Sequence, residues 1–532
     1  MPGIDVTDLL DPACFPHPVS HLQLRETAIS WVLLTGPYAY KIKKPLHLEF
    51  IDAATLPRRR FLCDEELRLN RRFAPELYRD VVPIGREHGR PRIDAAGAAA
   101  EYAVRMLQFD SSQELASLLA QDRVGAAELC AFGARLAQWH QEAAAASADT
   151  GYGSPALVRA QALENFPPLR RWAGADTGSG GRGGPGPDPT AILQQLEHWT
   201  VEFLARLEPL LQRRQLGGRV RECHGDLHSG NVVCWRAELL PFDCVEFEPR
   251  LRWIDAISDV AFLFMDLLAH ARADLAYAFV SAYLEHGGDY EGLQLLRFYG
   301  VYRALVRAKV DALALAGHTG APAQAHRQHL QARLHAAAQL ASPQPPALVL
   351  MHGVSASGKS WISQRLIGAL PAVRVRSDLE RKRLPPQSRP GSAQRYSAAA
   401  TQATYARLLD CAAMALGDGH NVVVDATFLD RAQRRRFEAM AEQLGRAWLI
   451  VACNASRATL LERLARRARG AADPSEATAQ VLDRQLRALQ PLEPSEQAAT
   501  VPVDMEASAS IETAIHSVQQ RLLQPHPPSV PV

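Results

Sequence analysis

The segment that most constrains the fold is Gly353–Ser360, because its sequence GVSASGKS fits the pattern G-x-x-x-x-G-K-[ST] at every fixed position. It follows the apolar run Leu348–Met351, which predicts a β-strand, and it leads into a predicted helix that starts near Gly358. In such a unit, backbone N–H groups of the loop surround a phosphate chain, and the helix N-terminus adds a favourable dipole. The segment therefore predicts a triphosphate-binding loop (P-loop) in a parallel α/β sheet.

The side chains of this loop have separate predicted tasks. Lys359 reaches the β- and γ-phosphate oxygens of ATP, which makes it both a binding and a catalytic residue, and the hydroxyl of Ser360 binds Mg²⁺. A chance glycine-rich turn is the alternative, but the motif is complete and lies between a strand and a helix. The other predicted phosphate-binding residues of the loop are Gly353, Ser355, Ser357 and Gly358.

Two carboxylates follow predicted strands of the same sheet, at the ends where this fold places its chemistry. Asp425 follows the strand 421–424 and is a predicted magnesium ligand, whereas Asp378 follows the strand 373–376 and is a predicted proton acceptor. A helix N-cap is the alternative role for either carboxylate. Arg381, one helical turn after Asp378, is predicted to bind an anion of the acceptor, with an exposed surface charge as its alternative.

The basic segment Leu460–Gly470 follows the last predicted strand of the alternating region. A lid that closes over the transferred phosphate would carry arginines at this place. We predict that Arg463 and Arg467, which share a helix face, bind phosphate, with Arg466 as a further candidate. The alternative is an ordinary solvated helix face.

A second polar block begins at His224 with the sequence HGDLHSGN. It places Asp226 five residues before Asn231, and Asp243 follows twelve residues later at the end of a strand-like run. Protein kinases use this spacing, in which the first Asp receives the acceptor proton while the Asn and the second Asp hold magnesium on the phosphates. The block therefore predicts a catalytic Asp226 and the metal ligands Asn231 and Asp243.

With Gly225 where protein kinases have arginine, this block resembles the aminoglycoside phosphotransferase and choline kinase family. The resemblance covers about residues 20–340 and implies a protein-kinase-like bilobal fold. It further implies that Lys41 binds the α- and β-phosphates and that Glu66, or its neighbour Glu65, pairs with it. A charge on an edge strand is the alternative role for Lys41. No G-x-G-x-x-G precedes this lysine.

The resemblance also implies that Asp259 braces the catalytic loop. We assign no general-base role to His224 or His228, because the first histidine of this motif usually packs and hydrogen-bonds within the family. Both histidines are therefore expected to be structural.

The segments GVSASGKS, SDLERKRL, VVVDATF and LERLARRARG resemble the P-loop kinases that include polynucleotide 5′-hydroxyl kinases and zeta-toxin-like proteins. The resemblance covers about residues 347–490. In polynucleotide kinases the Asp-x-x-Arg pair handles the acceptor hydroxyl, which implies that role for Asp378 and Arg381. The whole chain resembles bacterial fusion proteins that join an aminoglycoside-phosphotransferase-like domain to a P-loop kinase domain.

The predicted fold class is therefore α/β and α+β multidomain, with an N-terminal protein-kinase-like part and a C-terminal parallel sheet. Stretches rich in Gly and Pro divide the chain. The predicted organisation is a kinase-like domain over 1–340 with a flexible insertion at 174–189, a linker at 341–346, a P-loop domain over 347–523 and a disordered tail at 524–532.

Charge and cysteine content limit the partners and the compartment. The net charge of +2, from 59 basic and 57 acidic residues, is too small to favour binding to nucleic acid or to an anionic membrane by overall charge alone. The eight cysteines form no C-x-x-C pair, and the sequence shows neither a signal peptide nor a membrane span. These features predict a cytoplasmic protein with reduced thiols.

Together the motifs predict a bifunctional enzyme with two separate sites for ATP and Mg²⁺, each transferring the γ-phosphate to a hydroxyl of a small molecule. One alternative is a polynucleotide 5′-hydroxyl kinase activity of the C-terminal domain, which the near-neutral charge disfavours. Another is an ATP-binding regulator without catalysis. It ranks last, because the catalytic residues are present in both motifs.

Overall fold

The structure is a computed structural model of the 532-residue chain. It describes residues 4–48, 51–178, 188–315, 317, 319–343, 345–384, 397–468 and 478–523. The predicted tail 524–532 and the central part of the predicted insertion 174–189 lie outside these residues. The first residues of that insertion, 174–178, continue a helix, and the predicted flexible segment stays a prediction.

The chain divides into two compact units. The first consists of Met1–Glu128, Trp139–Glu164 and Glu202–Asp266. The second consists of Leu129–Gln138, Asn165–Val201 and Leu267–Val532. This division does not fall at the predicted linker, and the predicted domain bounds stay a prediction.

The N-terminal part of the first unit contains an antiparallel β-sheet. Its central strand is buried along nearly its whole length, whereas the first strand is mostly exposed. The strands up to the first helix are β1 (Gln23–Glu26), β2 (Ser30–Leu34), β3 (Tyr38–Lys43), β4 (His47–Leu48) and β5 (Ile51–Asp52), and those after it are β6 (Tyr78–Glu87), β7 (Arg90–Ile93) and β8 (Glu101–Leu107). Six strands pair in the order β1-β2-β3-β8-β6-β7, and β4 pairs with β5. Helix α1 (Leu56–Asn70) follows β5.

The middle of the chain is mainly helical, with four short strands. Its helices are α2 (Leu115–Ala120), α3 (Ala126–Glu142), α4 (Pro155–Leu163), α5 (Phe166–Gly178), α6 (Pro189–Leu216), α7 (Pro249–Arg252) and α8 (Ala256–Ala269). Its strands are β9 (Val220–Glu222), β10 (Val232–Trp235), β11 (Glu238–Pro241) and β12 (Trp253–Asp255). Strands β10 and β11 form a hairpin in which Val232 faces Pro241. The hairpin therefore brings Asn231, which precedes β10, close to Asp243, which follows β11.

A five-stranded sheet in the second unit confirms the predicted parallel arrangement. Its strands are β13 (Ala347–His352), β14 (Ala372–Arg376), β15 (Asn421–Asp425), β16 (Ala447–Asn454) and β17 (Thr500–Asp504). They pair in the order β14-β15-β13-β16-β17, and every pairing is parallel. Strand β13 is buried along its whole length, which fits a sheet that is covered on both faces.

The helices of the second unit include α12, which begins at Lys359 directly after the P-loop, as the motif predicted. They are α9 (Ala273–Gly287), α10 (Leu293–Leu315), α11 (Gly320–Ala341), α12 (Lys359–Ala369), α13 (Ser377–Arg383), α14 (Ala398–Gly417), α15 (Arg431–Gln443), α16 (Arg457–Ala468), α17 (Ala479–Ala488), α18 (Pro494–Ala498) and α19 (Ser508–Leu523). Within the described part of the chain, no helix combines the length and the apolar composition that spanning a bilayer requires.

A fully buried ion pair connects two loops of the second unit that are distant in sequence. Arg434 on α15 donates two hydrogen bonds to the carboxylate of Glu496, at 2.5 and 2.9 Å. The same guanidinium donates to the carbonyl oxygens of Phe428 at 3.1 Å and Pro491 at 3.0 Å. It therefore ties the loop that follows β15 to the loop that follows α17.

We expect Arg434→Met to lower the free energy of unfolding by about 3–5 kcal/mol, because it leaves the Glu496 carboxylate buried without its cation. Urea denaturation followed by circular dichroism measures this change. The matched control is Arg435→Met, since that side chain is 62% exposed and pairs with Glu493. Its expected cost is at most about 1 kcal/mol. Equal costs for the two variants would contradict the assigned role of Arg434.

Candidate active sites

Two carboxylates hold Lys41 in the first unit. Its Nζ lies 2.9 Å from Glu66 Oε1 and forms an ion pair with Asp243. Strand β3 lies between β2 and β8 and Lys41 is buried, so the alternative of a charge on an edge strand is wrong. Glu66, rather than Glu65, is the partner on α1. Burial alone would lower the pKa of Lys41, but Asp243 and Glu66 raise it well above its usual value.

Sequence reasoning missed Lys43, which is fully buried and pairs with both Glu66 and Glu246. Its burial opposes the charge, yet the two carboxylates raise the pKa of the Lys43 ammonium. The alternation of side chains along a strand was the available signal, because residues two apart point to the same face. Lys43 therefore links α1 to the segment that carries Asp243, three residues before Glu246.

The predicted catalytic and metal-binding residues are adjacent. The amide nitrogen of Asn231 donates to the backbone oxygen of Asp226 at 3.0 Å and to its carboxylate at 3.1 Å. The N–H of Phe242 donates to the carbonyl oxygen of Asn231 at 2.9 Å. These bonds orient the amide oxygen of Asn231 away from Asp226. Oxygen ligands of this type are those that Mg²⁺ prefers, so Asn231 and Asp243 fit a magnesium site.

Asp259 braces this loop, as the family resemblance implied. Its carboxylate accepts hydrogen bonds from the backbone N–H groups of His224 and Gly225, both at 2.9 Å. Burial lowers the pKa of His224, so the ring is neutral, and its Nε2 donates to the carbonyl oxygen of Phe242 at 2.8 Å. Its Nδ1 accepts a hydrogen bond from the N–H of Asp226 at 3.3 Å, so both ring nitrogens of His224 hold the loop in place.

Steric constraints explain why position 225 is a glycine here, whereas protein kinases have arginine in this motif. Gly225 has a φ of +90°, and a Cβ at this position would lie 2.8 Å from the carbonyl oxygen of Leu251. An arginine at position 225 would need both a strained backbone and a displaced neighbouring segment.

A cavity of about 470 Å³ in the first unit contains Lys41 and Asp243 in its wall. Arg25 also lines it, and sequence reasoning missed this residue. Arg25 lies opposite Val32, which in turn lies opposite Lys41, so the three side chains share one face of the sheet. The pairing of β1 with β2 was the missing information. In a chain without a glycine-rich motif, Arg25 adds a positive charge to the wall of this cavity.

The P-loop in the second unit requires its two motif glycines. Gly353 has a φ of +138°, and a Cβ there would lie 2.6 Å from the carbonyl oxygen of Cys453. Gly358 has a φ of +98°, and a Cβ there would lie 2.6 Å from Met505. Lys359 Nζ donates to the carbonyl oxygen of Val354 at 2.7 Å. These features match a loop built to surround phosphate.

A second cavity of about 400 Å³ brings together most of the predicted residues of the P-loop site, although Gly353 and Ser357 are not among the residues that line it. The predicted residues in its wall are Ser355, Gly358, Lys359, Ser360, Asp378, Arg381 and Asp425. Asp425 ends β15, and the N-caps of α13 and α15 are Arg376 and Asp430, so the cap alternatives for Asp378 and Asp425 are wrong. The Ser360 hydroxyl and the Asp425 carboxylate are hard oxygen ligands and fit Mg²⁺.

The predicted lid arginines occupy different positions. Arg463 donates to the carbonyl oxygens of Ala356 at 3.3 Å and Met505 at 2.8 Å, so it braces the P-loop backbone. Among the described residues, neither Arg463 nor Arg466 lines the cavity, and the side chain of Arg467 lies outside the described part. Their phosphate-binding role stays a prediction.

Sequence reasoning missed the contribution of α17 to this cavity. Arg484 lines the cavity, and the side-chain oxygen of Gln485 accepts a hydrogen bond from the N–H of Ser355 at 2.7 Å. Arg376 at the end of β14 also lines it. Both helices contact the P-loop, α16 through Arg463 and α17 through Gln485, but only α17 contributes side chains to the cavity wall among the residues that line it.

His352, the last residue of β13, lies directly before the P-loop and is 8% exposed. Neither ring nitrogen has a hydrogen-bond partner among the described residues. Burial lowers the pKa of His352 to about 4, and the cations Arg434 and Lys359 add to this effect. His352 is therefore neutral at physiological pH.

We expect the contribution of His352 to lower the free energy of unfolding as the pH falls from about 6.5 to about 4. In this window the imidazole is protonated in the unfolded chain but not in the folded chain. Replacement by leucine should reduce the acid-induced loss of stability by about 1–3 kcal/mol. Thermal unfolding at several pH values measures this change. The control is His516→Gln at an exposed histidine. Identical pH profiles for His352→Leu and the unmodified protein would contradict the expectation.

Comparison with known proteins places this chain among bacterial relatives. The family model described as an AAA domain matches residues 348–492. The uncharacterized protein Rv2004c of Mycobacterium tuberculosis (strain ATCC 25618 / H37Rv) is 31% identical over 487 residues, which cover 88% of this chain and 91% of the relative. The uncharacterized protein Mb2027c of Mycobacterium bovis has the same identity and coverage.

Two solved structures are similar to parts of the chain. Choline kinase from Cryptosporidium parvum Iowa II is 10% identical over 63% of this chain and 95% of its own, with a TM-score of 0.36. A gluconokinase from Sinorhizobium meliloti 1021 is 20% identical over 34% of this chain and 97% of its own, with a TM-score of 0.25. At these scores the two likenesses say nothing about the substrate of this chain.

Proposed function

The chain belongs to the same family as the mycobacterial proteins Rv2004c and Mb2027c, and we propose that it is a bifunctional ATP-dependent phosphotransferase. Each of two sites would transfer the γ-phosphate of ATP to a hydroxyl group of a small molecule. The observation that carries this proposal is that each unit has a cavity lined by a lysine and by a predicted magnesium-binding carboxylate, Lys41 with Asp243 and Lys359 with Asp425. A cytoplasmic location fits the eight cysteines, all of which are free.

In the first unit, Lys41 binds the α- and β-phosphates and Glu66 holds it in position. Asn231 and Asp243 would hold Mg²⁺, which supplies neutralising charge on the phosphates. Asp226 accepts the proton of the acceptor hydroxyl while the new O–P bond forms and the bond from the γ-phosphorus to the bridging oxygen of ADP breaks. The bond from Asn231 to the Asp226 carboxylate supports this role, because it holds the carboxylate beside a predicted magnesium ligand.

In the second unit, the P-loop N–H groups and Lys359 bind the phosphates, and Ser360 and Asp425 would hold Mg²⁺. Asp378 accepts the proton of the acceptor hydroxyl. Arg376, Arg381 and Arg484 line the same cavity, and this cluster favours an acceptor that carries a negative charge near its hydroxyl. A polynucleotide 5′-hydroxyl end has this chemistry and is the second candidate for this site.

Transfer of labelled γ-phosphate from ATP into a fractionated metabolite extract, 5′-hydroxyl oligonucleotides and an aminoglycoside panel tests the proposal. Asp226→Ala should remove one set of labelled products, and Lys359→Ala should remove another, each by at least about 100-fold. Asp149→Ala, at an exposed residue, is the control and should keep both sets. If the unmodified protein labels no acceptor and both variants hydrolyse ATP like it, the proposal fails and the regulator alternative replaces it.

The proposed negative charge of the acceptor at the P-loop site can be tested separately. Arg381→Ala should raise the KM for the acceptor more than it lowers kcat, because it removes a cation from the acceptor side of the cavity. Lys382→Ala on the same helix is the matched control, since Lys382 is exposed and is not among the residues that line the cavity. Equal effects of the two variants on KM would contradict an anionic acceptor.

A further inference from the structure

Strand β14 forms one edge of the parallel sheet, and side chains from outside the AAA-matched segment 348–492 cover it. The Ser281 hydroxyl on α9 accepts a hydrogen bond from the N–H of Arg374 at 3.2 Å and donates to the carbonyl oxygen of Ala372 at 3.4 Å. The Tyr290 hydroxyl donates to the carbonyl oxygen of Arg374 at 3.3 Å. These buried side chains satisfy backbone groups that an edge strand otherwise leaves unpaired.

Glu285 extends this connection from the strand backbone to charged side chains. It lies on α9, one turn after Ser281, and is 6% exposed. Its carboxylate accepts two hydrogen bonds from the guanidinium of Arg374, at 2.6 and 3.1 Å. A second guanidinium, that of Arg376, lies 3.6 Å away. One buried carboxylate therefore faces two cations of β14.

Both arginines also lie beside the predicted magnesium ligand. Arg376 Nε is 3.7 Å from the carboxylate of Asp425. Arg374 donates to the Ser363 hydroxyl at 3.4 Å, and this hydroxyl donates to Asp425 at 3.4 Å. Cations at this distance compete with a bound metal ion for the carboxylate.

We propose that Glu285 is a positioning residue of the P-loop site. Its carboxylate neutralises Arg374 and holds Arg376 in an ion pair, so that Asp425 stays available to a divalent cation. The inference rests on the proposed magnesium and nucleotide site at the P-loop. It means that this site is incomplete without a helix that precedes the P-loop domain in sequence.

The chemistry of Glu285→Gln follows from these contacts. Glutamine keeps the size of the side chain but loses its charge, so the two guanidinium groups no longer have this carboxylate as a partner. Arg376 then pairs more strongly with Asp425, and the affinity for a divalent cation falls. Ser281→Ala removes hydrogen bonds to the same strand without changing charge, which makes it the matched control for a merely structural role.

Binding of Mn²⁺ in the presence of ADP tests the inference, with free Mn²⁺ measured by electron paramagnetic resonance. The full chain would carry Asp243→Asn, which removes a metal ligand of the other site. We expect one ADP-dependent Mn²⁺ site that Lys359→Ala abolishes. Glu285→Gln should weaken Mn²⁺ binding about tenfold, whereas Ser281→Ala should stay within about twofold of the parent.

The outcomes separate the inference from the function on which it rests. Without a Lys359-dependent Mn²⁺ site in the parent, the proposed P-loop site itself fails, and the role of Glu285 fails with it. If that site is present but Glu285→Gln binds Mn²⁺ as tightly as the parent, only the role of Glu285 is overturned. Equal weakening by Glu285→Gln and Ser281→Ala also overturns it, because loss of support for the strand rather than loss of the Glu285 charge would then be responsible. Recovery of Mn²⁺ affinity in Glu285→Gln/Arg376→Gln would support it.

Discussion

The ion pair between Lys41 on β3 and Glu66 on α1 is buried in the first unit, where an uncompensated charge would be very costly. The positions of the neighbouring segments depend on this pairing of buried charges. Glu66 is shared with Lys43, which also binds Glu246, while Lys41 reaches Asp243. Strand β3, helix α1 and the segment 243–246 are thereby held in one arrangement.

The second unit uses buried charge in a similar way. Arg434 and Glu496 join the two loops that border the P-loop cavity. Arg374 and Glu285 join the edge strand to a helix that precedes the domain in sequence. In both places a bidentate guanidinium–carboxylate contact sets the relative position of segments that are distant in the chain, because its planar geometry tolerates little displacement.

Local patterns in the sequence were sufficient for much of this description. The P-loop motif fixes both its glycines and the helix that begins at Lys359, because the steric and phosphate-binding requirements are local. The spacing of Asp226, Asn231 and Asp243 was also readable, since the hairpin β10–β11 spans the interval between the last two.

Residues that depend on long-range pairing were not readable from the sequence. Arg25 reaches its cavity only through the register of β1 with β2, and Gln485 touches the P-loop only through the packing of α17. Glu285 and Arg374 are 89 residues apart, and neither lies in a motif. A single sequence carries no signal for such pairs, because any buried arginine can be compensated by any carboxylate that the fold brings near it. The lid arginines illustrate the same limit, since a basic helix face looks identical whether it faces phosphate or backbone carbonyls.

The hydrogen bond from the Ser355 N–H to Gln485 has a thermodynamic consequence. A single N–H group makes one strong hydrogen bond. A phosphate oxygen that accepts the hydrogen bond of the Ser355 N–H therefore replaces the Gln485 oxygen, and α17 loses this contact with the loop. Linkage then requires reciprocity: the free energy by which a docked α17 weakens nucleotide binding equals the free energy by which a bound nucleotide weakens the docking of α17. For the nucleotide site proposed above, the resting position of α17 would therefore contribute to the nucleotide concentration at which the loop is half occupied.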